Sequence, residues 1–214
     1  MARSIKKVIA VDPSLTCSGW ALFSVERDRL LAVGKIKSLG PNIALAERLR
    51  DLQEKIASLI VSLELGEEDA LVCESPTTMR DPGAAFKVEQ VRGIFETIAR
   101  SHSILVPGRI NPRSVHQEVL GLRGQQLGRQ IVKDTAVHAV KALFSQALED
   151  MGFSCGDDSL SKHQDIVDAI LLGSLAVTRL RSAIIGGLPA EHLFESRAHA
   201  QRQSFRSASA FKAR

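Results

Sequence analysis

Tyrosine is absent from this 214-residue sequence and tryptophan occurs once, so that with eight phenylalanines the chain has only nine aromatic side chains. A protein so poor in rings is badly equipped to stack along an extended single strand of nucleic acid. Cysteine is scarce too: Cys17, Cys73 and Cys155 are an odd number at wide spacing, with no CxxC pair and no histidine pair nearby. Neither a disulfide framework nor a zinc knuckle is expected from them, and the thiols are expected to be reduced and mostly buried. Long apolar runs are also missing, since each is shorter than a bilayer span or carries a carboxylate, as 166–177 carries Asp168, and the N-terminus has no stretch resembling a signal peptide. A soluble, cytoplasmic protein with no membrane partner is expected. No internal period is visible, and 44% hydrophobic with 24% charged residues exclude wholesale disorder and fibrous classes.

The charge is unevenly spread. The formal net charge is +4, but the last eighteen residues hold Arg197, Arg202, Arg206, Lys212 and Arg214 with no acid, which leaves the other 196 at −1. Within them, residues 80–141 carry ten Lys or Arg against five acids. A basic middle and a basic tail suit a polyanionic partner, because clustered cations release counterions from phosphates; a solvated surface with a loose end has the same composition. The length suits one globular domain over 1–186, followed by a basic tail over 187–214 that is expected to be disordered and to add non-specific affinity for that polyanion.

Periodicity gives an outline. Apolar runs at 8–11, 20–25 and 30–36 read as three consecutive strands with turns between them. Over 41–65 apolar residues recur three or four apart with charges between, the pattern of an amphipathic helix. A buried strand at 70–73 ends on Glu74, a Pro- and Gly-containing loop leads into a helix over 84–99, and 104–106 supplies a fifth short strand. Asn111-Pro112 reads as an N-cap followed by proline at the first helical position, and further helices are expected over 130–151 and 164–185. The sum is an α/β layout, a mixed central sheet of about five strands flanked by helices.

Four acids stand out against this outline. Asp12 and Glu74 close strand-like runs, and ligands gather at the carboxyl ends of strands in open α/β sheets. Asp165 and Asp168, three apart at the start of an apolar helix, share one face. Taken singly, each acid suits a structural role: Asp165 a helix N-terminus, Asp12 a turn. The four together, with no dedicated basic partner, suit a hard divalent cation, Mg²⁺ or Mn²⁺; two such ions about 4 Å apart organise phosphodiester hydrolysis.

These residues carry a family resemblance. The segment Asp12-Pro13-Ser14-Leu15-Thr16-Cys17-Ser18-Gly19-Trp20 resembles the first-strand motif of the RuvC Holliday-junction resolvases, an Asp-Pro-Gly start with Thr-Gly-aromatic a few residues on. Glu74 and the run Ala85-Phe86-Lys87-Val88-Glu89-Gln90-Val91-Arg92-Gly93 are similar to that family's second acidic strand and following helix, and this is the most specific match. Asn111-Pro112 with 115–121 resembles its Pro-x-x-Val-Lys-x-x-Val-x-Gly segment, and Asp165-Ile166-Val167-Asp168-Ala169-Ile170 its terminal Asp-x-x-Asp-Ala-Leu motif. Order and approximate spacing hold from residue 8 to about residue 176.

The resemblance implies a ribonuclease-H-like fold, a homodimer, and paired, metal-dependent nicking of four-way DNA junctions, with a branch-migration helicase as a possible further partner. Asp12, Glu74, Asp165 and Asp168 would be the metal-binding catalytic acids. Lys87 and Arg92 match basic positions on the second helix, where phosphate contacts or packing against the site are expected. The position of the family's wedge aromatic falls on Thr77, and His116 stands where the family has lysine. Lys133, Arg129 and Arg123 are alternatives for the basic residue at the scissile phosphate, with Lys133 placed in the catalytic set. Thr77, Arg80, Lys87, Arg92, Arg123 and Arg129 form the expected DNA-binding set. Trp20 is expected to pack in the sheet, and His163 to be a loop residue. Alternative readings are a nuclease for forks or flaps, and a branched-DNA-binding protein with weak or no cleavage. A sugar-kinase or actin-like ATPase shares the Asp-x-x-x-Thr turn, but it needs two such domains and this chain is too short for them.

Overall fold

Strand β1 (Lys7–Asp12) lies at the centre of the molecule, with Val8, Ile9, Ala10 and Val11 all fully buried. A strand apolar on both faces must be covered on both, and this requirement organises the fold. In the computed structural model, which describes residues 5–76, 81–122, 127–155 and 159–194, five strands form one sheet in the order β3-β2-β1-β4-β5. Strands β2 (Cys17–Ser24) and β3 (Arg29–Lys37) are antiparallel to their neighbours, while β4 (Asp69–Glu74) runs parallel to β1, and β5 (Arg109–Ile110) parallel to β4. The expected mixed sheet is therefore present. Its fifth strand is not 104–106, however: Leu105 makes only an isolated bridge to Ala70, and the ladder forms four residues later.

Alternation along the strands sorts the core into two layers. Ile9, Val11, Leu71 and Cys73 face helices α1 (Leu45–Ser62) and α2 (Pro82–Ser101), where they meet Leu52, Ile56, Ile60, Val91 and Phe95. Val8, Ala10, Ala70 and Val72 face the other layer, dominated by α5 (Gln164–Gly186), with α3 (Pro112–Glu118) and α4 (Arg129–Asp150) beside it. Helix α5 is long and apolar enough to cross a membrane by length and composition, yet twelve of its residues are buried in this core. It lies close to the sheet because Gly173 has no side chain: a Cβ there would fall 2.4 Å from the Phe23 ring.

Local signals fix where helices begin. Asp81 caps α2 by accepting from the Gly83 amide, with Pro82 at the first position, and Asn111 caps α3 in the same way through Arg113 N ahead of Pro112. Helix α5 stops at Gly187 in a left-handed conformation (φ 62°). The chain then continues along the domain: Arg179 Nη1 donates to the Leu193 carbonyl at 3.1 Å, and Phe194 is buried beneath the Arg179 guanidinium. Of the first eight residues of the expected tail, Phe194 is buried and most of the others are exposed, and 195–214 lie outside the described residues. Cys73 and Cys155 are buried and Cys17 is half-buried. Burial pushes the Cys73 thiol far up. Trp20 rests on the backbone of Gly34 in the neighbouring strand.

Candidate active site

The same alternation that builds the core delivers the acids. Val8 and Ala10 face α5, so Asp12, next in that series, does too, and Ala70 and Val72 set Glu74 on the same side. Both stand at the carboxyl ends of adjacent parallel strands. Asp12 lies opposite Gly19 of β2, and a Cβ on Gly19 would fall 1.9 Å from the Asp165 carbonyl oxygen. Only bare backbone lets the start of α5 come down onto the strand ends here. Asp165 and Asp168 then reach the site from one face of the helix. The β1–β2 turn is held by Ser18, fully buried, whose hydroxyl accepts from Ser14 N and donates to Ser14 O, both at 2.9 Å.

The four carboxyls act on one another electrostatically. Burial is the main cause holding the Asp12 carboxyl well above its usual range, followed by the charge of Glu74, a hydrogen bond with Glu74, and the charges of Asp168 and Asp165. Burial also raises Glu74, which the hydrogen bond with Asp12 partly offsets. Asp168 is raised by burial and by Asp165; Gln164, Lys133 and His116 pull it back. Like charges forced together out of water cost free energy, and the described residues relieve it only in part, through Gln164, Lys133 and His116 at Asp168.

Beside the acids opens a cleft of about 360 Å³ that Glu74, Asp168, Gln164, His116, Arg129 and Lys133 help to line. Of the three alternatives for a basic residue at the scissile phosphate, Arg129 and Lys133 thus share a cavity with two of the acids, one turn apart on α4. Arg123, Thr77 and Arg80 lie outside the described residues. Lys87 is exposed near the start of α2.

Arg92 requires a correction, because of the two roles expected for it, phosphate contact and packing against the site, only the second agrees with its placement. It is 2% exposed, and its Nε donates to the Glu74 carbonyl at 2.7 Å while Nη1 pairs with Glu89. Glu89 also takes Arg109 Nη1 at 2.7 Å, and Arg109 grips Glu96 through Nε at 2.6 Å and Nη2 at 3.1 Å. A guanidinium committed to this network is not free for DNA. It ties the end of β4 to α2 and so fixes the backbone from which Glu74 projects.

Three contacts went unanticipated. Gln164 Nε2 donates to Asp168 Oδ1 at 2.8 Å, an i,i+4 pair that helical spacing signals plainly. Lys35 Nζ lies 3.0 Å from Asp165 Oδ2, and burial together with the Asp165 carboxylate pushes the Cys17 thiol up. His163 ends a short 3₁₀ turn (Leu160–His163) with its ring edge-on to Phe153, and its buried Nδ1 has no hydrogen-bond partner among the described residues.

The donor set fits a hard divalent cation: the four acids offer only oxygen, and a 2+ ion would relieve the repulsion that holds Asp12, Glu74 and Asp168 above their usual range. Among the described residues no three acidic, His or Cys side chains already converge as a ready ligand cage, and the Asp12 and Glu74 carboxyls hydrogen-bond each other instead.

No family model matches the chain. Individual proteins do. It is 30% identical over 115 residues to the crossover junction endodeoxyribonuclease RuvC of Parvibaculum lavamentivorans, covering 53% of this chain but only 63% of that protein's length. Against the protein of the same name from Chelativorans sp. it is 31% identical over 147 residues, covering 64% of this chain and 78% of the relative. The chain belongs to the RuvC family of crossover junction endodeoxyribonucleases. Two solved structures of Thermus thermophilus RuvC, one of them in complex with a Holliday junction substrate, superpose with TM-scores of 0.61 and 0.60. At 18% and 17% identity they cover 83% and 82% of this chain and 96% and 95% of theirs. The fold is that of RuvC, the ribonuclease-H-like fold expected.

Proposed function

We propose that this RuvC-family chain cuts four-way DNA junctions by paired, metal-dependent phosphodiester hydrolysis, acting as a homodimer in the cytoplasm. The observation that carries the reading is the meeting of Asp12, Glu74, Asp165 and Asp168 at one end of the sheet, beside a cleft lined by Arg129 and Lys133. The four acids would hold Mg²⁺ or Mn²⁺, two ions per site, which when bound activate water and neutralise charge on the scissile phosphate. Lys133, half-buried with its charge acting on Asp168, is set to stabilise charge that develops on the phosphoryl oxygens. Exposed Arg129 and Lys87 supply phosphate contacts that position the strand without reading its sequence. Gln164 holds Asp168 in one orientation. A homodimer relates two such sites by a two-fold axis, which suits cuts in paired strands of a symmetric junction.

The reading is tested by incubating the protein with a labelled immobile four-way junction, a fork and a plain duplex, each with Mg²⁺, Mn²⁺ or EDTA. Metal-dependent nicks placed symmetrically across the junction are expected. Preferred cutting of the fork would move the substrate to replication intermediates, a reading favoured by Thr77 at the position of the family's wedge aromatic. Tight junction binding with no cut in either metal would replace the enzyme by a binding protein.

A further inference from the structure

Strand β3 is an edge strand, and its pairing with β2 slips between Leu22 and Phe23: Phe23 faces Leu30 and Leu22 faces Ala32, so Leu31 is bulged out. A bulge reverses the alternation beyond it. Leu30 faces α5, as Phe23 does, but after the bulge it is Val33 and Lys35 that lie on that side, opposite Ala21 and Gly19. The Lys35 side chain is therefore directed beneath the start of α5, where Nζ meets Asp165 Oδ2 at 3.0 Å. The ammonium is 18% exposed and the carboxylate 36%. Among the described residues, no other of the four site acids has a lysine or arginine within ion-pair distance. The Asp165 end of the pair is more than a third exposed, which screens it and limits its contribution to stability; its more distinctive consequence is a positive charge held at an acidic site.

We infer that Lys35 is the positioning residue of Asp165: a built-in counter-ion that holds this carboxylate at the site edge and that a divalent cation must displace before Asp165 can bind it. The inference rests on the proposed metal site. Among the described residues Asp12, Glu74 and Asp168 have no cation paired with them at this distance, so the four acids are unequal, and divalent binding through Asp165 is weaker than the acid count alone implies. Removing the ammonium leaves Asp165 free and makes the site more negative, which raises affinity for a cation; a lysine needed only for structure would have the opposite effect.

The test is calorimetric titration of the DNA-free protein with Mn²⁺, alongside the melting temperature of each variant. Lys35→Met is expected to bind Mn²⁺ about three- to tenfold tighter than wild type, from the Coulomb repulsion removed across a part-buried site, and Lys35→Arg to stay near wild type. In an Asp165→Asn background Lys35→Met is expected to tighten Mn²⁺ binding clearly less, since only the direct repulsion between ammonium and cation is then removed and no carboxylate is freed. Unchanged or weaker Mn²⁺ binding by Lys35→Met would overturn the inference, as would equal tightening with Asp165→Asn in place. Should Lys35→Met not fold, Lys35→Gln carries the same comparison. If wild type itself takes up no Mn²⁺, the metal reading falls and the inference with it, whereas saturable wild-type binding with an indifferent Lys35→Met sinks only the inference.

Discussion

Two clusters of charge meet at the end of β4, and Glu74 belongs to both. Its side chain joins Asp12, Asp165 and Asp168 on the α5 face, where burial and like charge hold three of the four carboxyls above their usual range. Its carbonyl joins the other cluster, in which Arg92, Arg109, Glu89 and Glu96 pair off across α2 and β5. Depth alone does not separate them: Arg92 is 2% and Glu96 7% exposed, deeper than Asp165. Balance does. In the second cluster each charge faces one of opposite sign, so the network holds structure together. Among the described residues the first keeps more negative than positive charge, which a cation from outside would offset, and carboxyls perturbed in this way make a candidate functional site.

The sharpest way to break the comparison is to neutralise one member of the acidic cluster. Asp12→Asn or Glu74→Gln is expected to lower junction cleavage by about a thousandfold or more, removing a ligand of the ions that drive hydrolysis. Junction affinity measured by gel shift without metal should stay within a few-fold. Lys133→Ala should follow with a loss of about 10²-fold in cleavage rate, the scale of one electrostatic donor, and Arg129→Ala with a smaller one expressed mainly in binding. Near-equal effects of the two would show that the cleft does not divide the roles.

Stability separates the clusters by sign. Arg92→Met leaves the Glu74 carbonyl without its donor while Glu89 keeps Arg109, and should cost about 1–3 kcal/mol in denaturant unfolding, the scale for a buried acceptor left unsatisfied. Asp12→Asn relieves repulsion and should raise the melting temperature of the metal-free protein. Mg²⁺ should raise the melting temperature of wild type, with EDTA reversing it, and have little effect on Asp12→Asn. The smallest effect expected is that of ending the chain after Phe194: a few-fold weaker binding to all DNA and a shallower salt slope, with the cut position unmoved. An unchanged slope would take the basic tail out of the interface.

Much of this site was legible in the chain because strand parity and helical spacing are local rules. Asp12 and Glu74 follow from where two apolar runs end, and Asp165 with Asp168 from a three-residue step on one helix. The family resemblance carried the basic positions as far as Lys133 and Arg129, but it left Arg92 open between DNA and packing. That choice depends on Glu89 and on Arg109, which is seventeen residues from Arg92 and reaches it only across β5. The fifth strand was misplaced for a similar reason: 104–106 looks like a strand, yet the ladder to β4 needs the chain to reach Glu74, and it does so at Arg109 and Ile110.

The sequence by itself determined the layered α/β plan, the cap of α3, and the residues that end the central strands, because each depends on neighbours within a few positions. Tertiary structure alone decided the charge balance around them. Lys35 shows why: strict alternation from Leu30 would send it away from α5, and a single bulged residue turns it toward Asp165, 130 positions further along the chain. Register between strands is set by the whole sheet, and a one-residue slip moves a charge from one face to the other.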